Sequence, residues 1–302
     1  MWISDHFHPW LDDQGQSPFV WSVIGGIAAT TSLRVTTAVT CPILRIHPAV
    51  LAQAAATVSV MLDGRFGFGV GTGENLNEHV LGQHWPPPDV RLEMLDEAVA
   101  VMRSLWTGDL VSHRGTHYTV ENARLYTVPH DPPPVLMSAF GPQAVDLAAR
   151  IADGYINTSP DADLVRRYTE AGGKGPKMAG VKICWGPEES EAKKLAHHLW
   201  RTSGVPGQLS QELPMPKHFE EASDLVTVER IAEKITCGPD PDRHAHAIQA
   251  YFDAGFDEVY VSQIGPDQEG FFRFWEQELG PRLAAVAWAA AESRPRQNLR
   301  RG

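Results

Sequence analysis

Cysteine is scarce in this sequence: Cys41, Cys184 and Cys237 are the only three in 302 residues, widely spaced and odd in number. That argues against a disulfide framework and against a CxxC zinc or redox pair, and it suits a reducing, cytoplasmic setting. No basic stretch leading into an apolar segment opens the chain, and no unbroken apolar run reaches the ~18 residues of a membrane span. Neither export nor a membrane partner is expected. Positive charge is also short. The chain has 26 Lys+Arg against 37 Asp+Glu, a formal net charge of −11 with His neutral, and its basic residues are scattered. A nucleic-acid partner is not expected, because phosphate neutralisation needs a basic footprint. A dinucleotide fingerprint is missing too. The run Gly67-Phe68-Gly69-Val70-Gly71-Thr72-Gly73 has the wrong spacing for GxGxxG, and no acidic residue ends the strand after it.

What remains is an ordinary globular composition, 43% hydrophobic and 21% charged, with a strand-then-helix rhythm. Strands are read at Trp2-Ile3-Ser4, Leu33–Val39, Arg65–Val70, Val135–Ser138, Tyr155–Asn157, Gly180–Cys184 and Glu258–Ser262. Helices are read over 18–30, Pro48 to about Leu62, 142–152, 162–171, 188–201, 228–236, Asp240 to Gly255, and 268–288. The clearest helix is N-capped by Asp89, repeats Leu92, Leu95, Val99, Met102 and Trp106 on one face, and stops at Gly108. Two insertions interrupt the rhythm: a hairpin at about 110–128, with strands His117–Val120 and Arg124–Tyr126, and a lid-like loop at about 202–226. Seven strand-helix units with no linker between halves predict an α/β protein, a TIM (β/α)8 barrel lacking one unit. It forms one domain over 1–290, with a frayed tail over 291–302.

In a barrel the reactive groups sit where strands end. His6, next to Asp5 after the first strand, is the candidate general base, since a neutral imidazole can take an alcohol proton and Asp5 can orient the ring. His6 and His8 also form HxH, a metal-ligand spacing, but the last strand ends without the Asp such a site uses, so no metal is expected. His197-His198, His244 and His246 read as solvated helix faces. Glu74, in the turn Gly71-Thr72-Gly73-Glu74-Asn75-Leu76-Asn77, is either an acid opposite His6 or a carboxylate that stabilises the start of a helix. Trp10 is either a ring-covering wall or a core residue. Lys182 interrupts an apolar strand. Pointing into the barrel mouth it needs an anion; pointing outward it is a surface lysine.

Three segments carry a family resemblance: Ser4-Asp5-His6-Phe7-His8-Pro9-Trp10, the run from Thr40 to Pro48, and Gly71 to Glu78. With Gly141-Pro142, Ala152-Asp153-Gly154 and Asn157-Thr158-Ser159, they resemble the deazaflavin-dependent branch of the luciferase-like oxidoreductases, nearest to its F420-dependent glucose-6-phosphate dehydrogenases. The resemblance implies an F420-dependent oxidoreductase that moves a hydride between an alcohol-type small molecule and the deazaflavin, in a homodimer. His6 would take the alcohol proton, Glu74 would serve the reduced ring, and Trp10 would pack against the reacting centre. Asp5, Ala38, Val39, Thr72, Gly73, Asn77, Ser138, Ala139, Gly141, Thr158 and Ser159 would contact the cofactor, with a non-proline cis peptide at Ala38-Val39.

Two departures accompany the resemblance. Of three basic residues that hold the sugar phosphate, Lys182 and Lys234 match two, while the third falls in the Gln/Ser stretch from Gln208 to Gln211, which disfavours glucose 6-phosphate. The chain also begins almost at the Ser-Asp-His motif, where the family has a preceding strand and helix. The alternatives are an FMN-dependent monooxygenase of the same fold and a non-catalytic F420-binding protein.

Overall fold

A computed structural model describes residues 1–284; residues 285–302, including the end of the last expected helix and the tail, lie outside the described residues. The chain alternates β1 (Trp2–Ile3), α1 (Val20–Thr30), β2 (Val35–Thr37), α2 (Pro48–Leu62), β3 (Phe66–Val70), the short α3 (Asn75–Glu78) and α4 (Pro88–Leu105). The hairpin β4 (Val111–Arg114) and β5 (Thr119–Ala123) interrupts. Then come β6 (Val135–Ser138), α5 (Pro142–Ile151), β7 (Gly154–Asn157), α6 (Ala162–Glu170), β8 (Lys177–Cys184) and α7 (Glu189–Trp200). The lid carries α8 (Leu209–Glu212) and α9 (Pro216–Ala222), and α10 (Val228–Ala232), β9 (Thr236–Cys237), α11 (Pro241–Asp253), β10 (Glu258–Gln263) and α12 (Gln268–Phe274) follow.

The main sheet is parallel, in the order β1-β2-β3-β6-β7-β8-β10, with β9 paired to β8. β3 is buried along its whole length, which is why it reads as a continuous run rather than an alternation: helices cover one face and the opposing strands the other. The two ends of the order meet through side chains. Trp2 of β1 stacks on Tyr260 of β10 with ring centroids 4.5 Å apart and planes 19° apart. The sheet is therefore curled, a half-barrel of the expected class, in which β1 and β10 share no ladder among the described residues.

Several local expectations change. The sheet has eight strands where seven were read, because β9 begins at the last residue of the expected helix 228–236, whose helical part, α10, stops at Ala232. A two-residue strand leaves no period of its own; Thr236 and Cys237 are drawn into the sheet by Ile183 and Cys184. Asp89 is not the cap of α4. Pro88 occupies the first turn behind Pro87, and Asp89 sits one residue in, where its charge still favours the positive helix end. The hairpin strands start earlier than expected, and Glu97 of α4 gathers their turn by accepting the N–H groups of Thr116, His117 and Tyr118 at 3.1, 3.0 and 2.9 Å. His244 is fully buried rather than solvated, with Nε2 against the Gly238 carbonyl at 2.8 Å.

The lid is also more ordered than a loop. Arg91, buried on the inner face of α4, donates to Gln211 Oε1 at 2.9 Å and Glu212 Oε1 at 3.3 Å and lies over the Trp85 ring. An arginine in register with Leu95, Ala98 and Met102 on an apolar face was the available signal for this anchor.

Candidate active site

β1 is only two residues long, so the chain leaves the sheet at Ser4 and delivers Asp5 and His6 to the strand ends. Asp5 is buried, and its carboxylate is already engaged: Oδ1 accepts from Arg45 Nη2 at 2.7 Å and Oδ2 accepts from the Thr40 hydroxyl at 2.9 Å. It therefore anchors the segment rather than orienting the imidazole next to it. His6 Nδ1 lies 3.2 Å from the His8 carbonyl. A carbonyl only accepts, so Nδ1 is the donor of this contact, and the neutral ring that makes it carries its lone pair on Nε2. The His8 ring turns away to Leu76 O at 2.8 Å, so the two histidines of HxH do not converge. Trp10 stands 5.3 Å from His6, centroid to centroid, and is met edge-on at 5.0 Å by Phe219 from the lid.

The opposing wall comes from the segments after β2 and β3. The Ala38-Val39 peptide is cis, where the resemblance placed it. Gly71 is pressed so close that a Cβ there would lie 2.8 Å from a Val39 methyl. Gly73 takes φ +71°, a left-handed conformation suited to glycine, and turns the chain into α3. Glu74 occupies the N-cap position of α3, yet its side chain caps no N–H. The carboxylate instead faces the cavity and accepts from Asn77 Nδ2 at 3.4 Å. Asn77 itself is buried, with Oδ1 accepting the N–H groups of Phe7 and His8 at 2.9 and 3.2 Å. Its side chain ties protein segments together and is not turned to a ligand.

These walls enclose a cavity of about 540 Å3 at the strand ends. Of the residues singled out in the sequence, His6, Trp10, Glu74, Ala38, Val39, Ser138, Thr158 and Lys182 line it. Phe140 from the segment after β6, and Trp2, Ile156, Trp200 and Tyr260, line it too; of these Trp2 and Tyr260 are aromatics on strands, which was the signal the sequence offered for them. Asp5, Thr72, Gly73, Asn77 and Gly141 lie on the segments that frame the cavity without lining it. Ala139 is buried and spends its carbonyl on Tyr155 Oη at 3.0 Å and Asn157 Nδ2 at 3.2 Å. Ser159 opens onto a separate surface depression with Asp161 and Asp163.

Lys182 points inward. Its ammonium lies 4.4 Å over the Trp200 ring, no carboxylate pairs with it among the described residues, and burial holds its pKa below the usual lysine value. Lys234 is not in the cavity; it is exposed and donates to Ser203 O at 2.7 Å. The Gln208–Gln211 stretch is likewise elsewhere, pinned by Arg91.

Beneath the site lies a buried ionic cluster that the sequence did not reveal. Arg45 N donates to Glu78 Oε2 at 2.7 Å, and Arg45 Nε lies 3.5 Å from Glu78 Oε1. Burial, with the fields of Glu74 and Asp5 adding to it against Arg45, pushes the Glu78 carboxyl up to about 7. The buried Cys41 thiol is raised chiefly by the same loss of water.

The sequence profile described as luciferase-like monooxygenase matches residues 1–258. The chain belongs to the luciferase-like monooxygenase family. Among curated relatives of this family member, one described as an F420-dependent glucose-6-phosphate dehydrogenase from Microbacterium testaceum is 35% identical over 300 residues, covering 94% of this chain and 88% of that protein. One of the same description from Nakamurella multipartita is 34% identical over 302 residues, covering 95% and 88%. Among solved structures of the luciferase-like fold, an F420-dependent secondary alcohol dehydrogenase in complex with an F420-acetone adduct matches with TM-score 0.86 and 30% identity over 93% of this chain and 89% of that one. The tetrahydromethanopterin reductase of Methanopyrus kandleri, at TM-score 0.71 and 20% identity over 93% and 90%, shares the fold.

Proposed function

We propose that this protein is a coenzyme F420-dependent oxidoreductase that interconverts a secondary alcohol and its ketone. The observation that carries the reading is one cavity holding the His6 imidazole with its Nδ1 turned to a backbone carbonyl, a carboxylate at Glu74 that caps nothing, and an aromatic wall at Trp10. The cavity suits the cofactor by its chemistry: Ala38, Val39 and Ile156 offer a flat apolar wall for a fused ring, and the hydroxyls of Ser138 and Thr158 offer donors for its polar edge and tail. Coenzyme F420, when bound, supplies a two-electron hydride acceptor. His6 Nε2 accepts the hydroxyl proton as the carbinol carbon gives up its hydride, and the His8 carbonyl steadies the ring as it becomes positive. Glu74 holds the proton that balances charge on the reduced cofactor, with Asn77 fixing its carboxylate. Trp10 and the lid residue Phe219 exclude water from the reacting carbon.

Among the described residues Lys182 is the one Lys or Arg side chain that lines the cavity, whereas a phosphate dianion is normally held by several charge-assisted donors. A lightly charged or neutral alcohol therefore fits better than a sugar phosphate. The test is absorbance of the co-purifying cofactor, followed by turnover of an alcohol panel by wild type and His6→Ala. Deazaflavin binding in both proteins, with turnover reduced at least ~100-fold in the variant, is expected. FMN as the bound cofactor, or unchanged turnover by His6→Ala, refutes the reading.

A further inference from the structure

The ionic cluster beneath the cavity has a geometry that the hydride-transfer reading does not use. His6 and Glu74 must face each other across the same ligand, yet they sit on segments with no sheet contact between them: one leaves β1, the other opens α3. We propose that Arg45 and Glu78, neither of which lines the cavity, are positioning residues that lock the Asp5–His6 strand end against the short helix carrying Glu74.

Arg45 is the physical bridge. Its Nη2 donates to the Asp5 carboxylate at 2.7 Å and the Asp5 carbonyl at 3.3 Å, while its backbone N–H donates to Glu78 Oε2 at 2.7 Å. One residue thus holds side chain and main chain of the base-bearing segment and the last residue of the acid-bearing helix. Asn77 makes a second tie on the same helix, through the N–H groups of Phe7 and His8. The side chains of Arg45, Asp5 and Glu78 are between 1% and 7% exposed, so water does not loosen the bridge. A four-residue helix has little stability of its own and depends on such tertiary contacts.

Charge supports the same role. Arg45 and Cys41 from the segment after β2, Asp5 from the segment after β1, Glu74 from α3 itself and Tyr118 from the hairpin all face Glu78. One guanidinium between two buried carboxylates neutralises only one of them. Glu78 therefore keeps its proton to about pH 7, and Glu78 Oε1 has no hydrogen-bond partner among the described residues. The neutral carboxyl still accepts the Arg45 N–H. An amide in its place would do so as well, whereas a thioether would not.

This inference rests on the hydride-transfer reading, so its test includes a measurement that needs no cofactor. Hydrogen exchange of the apo protein should show residues 4–11 and 74–79 exchanging at least ~10-fold faster in Arg45→Met and Glu78→Met than in wild type, with the rest of the sheet unchanged. Steady-state kinetics should show kcat reduced ~10- to 100-fold in both variants, as expected for a small misplacement of reacting groups. Deazaflavin affinity should stay within about threefold of wild type and Glu78→Gln should restore kcat, because both would follow if these residues act only through position. The folded pKa of Glu78 lies above its unfolded value of 4.5, so the stability it contributes is present below pH 4.5 and lost as pH rises through about 7. The urea midpoint of wild type should accordingly fall relative to Glu78→Gln across that window. Unchanged exchange in residues 4–11 and 74–79 overturns the proposal, as does a defect confined to cofactor affinity. Faster exchange in a protein that turns over no alcohol would sustain the positioning role and sink the hydride-transfer reading instead.

Discussion

The closure of the curled sheet can be tested at one point of contact, where Trp2 of β1 reaches across to β8 and β10. Gly180 lies under the indole: a Cβ built there falls 2.7 Å from Trp2 Cζ3 and 3.2 Å from Cε3. Gly180→Ala in the wild-type background must push the ring off its stack with Tyr260, at a cost of about 1–3 kcal/mol. Trp2→Ala loses that stack and part of a half-buried aromatic surface. A fully buried Trp→Ala costs about 3–5 kcal/mol, so about 2 kcal/mol is expected here. Once the indole is gone the obstacle at Gly180 goes with it. Alanine in place of a mid-strand glycine then stabilises by ~0.5–1 kcal/mol through the unfolded chain's lost freedom. The double variant should therefore be more stable than the sum of the single ones predicts by about 1.5–4 kcal/mol, the relieved clash together with the alanine gain. Urea titrations of the four proteins at one pH, followed by far-UV circular dichroism and by tryptophan fluorescence, measure the coupling. Additivity within about 0.5 kcal/mol would show that the two sites do not touch and would refute this account of how the sheet curls.

Two other positions give independent checks. Gly73→Ala requires a β-carbon at φ +71°, in conflict with the Cys41 side chain, so it should displace the start of α3 and weaken deazaflavin binding by at least ~10-fold in a fluorescence-quenching titration; unaltered affinity would show that this turn does not shape the cavity. Lys182→Met removes a buried cation that has no carboxylate partner among the described residues, and because the folded pKa is depressed, the wild-type deficit in stability grows as pH falls below the lysine's ordinary value of 10.5. The variant should be at least as stable as wild type at pH 7, while KM for a carboxylate-bearing alcohol rises relative to a neutral one; an equal effect on both alcohols would remove Lys182 from the substrate site.

How much of the site could be read in advance differs residue by residue. His6, Trp10 and Glu74 were legible because their place at strand ends follows from local rhythm, and local rhythm is what a sequence displays. Whether Glu74 serves the helix or the cavity was not legible. Both roles begin from the same N-cap position, and what separates them is that the Glu74 side chain caps no N–H and lines the cavity. For Lys234 and Asn77 position along the chain was legible but their contacts were not: Lys234 donates to the lid carbonyl of Ser203, and Asn77 Oδ1 accepts the N–H groups of Phe7 and His8.

The sequence by itself determined the class of architecture, since a parallel α/β sheet requires alternating apolar runs and amphipathic segments, and those are written in residue order. It also determined which strand ends line the cavity. The tertiary structure alone decided the rest. β9 exists because Ile183 and Cys184 offer it a ladder, the two ends of the curled sheet meet where Trp2 stacks on Tyr260, and Arg45 finds its partners 40 residues earlier and 33 later. Such contacts depend on distance in space, and no period in the sequence encodes them.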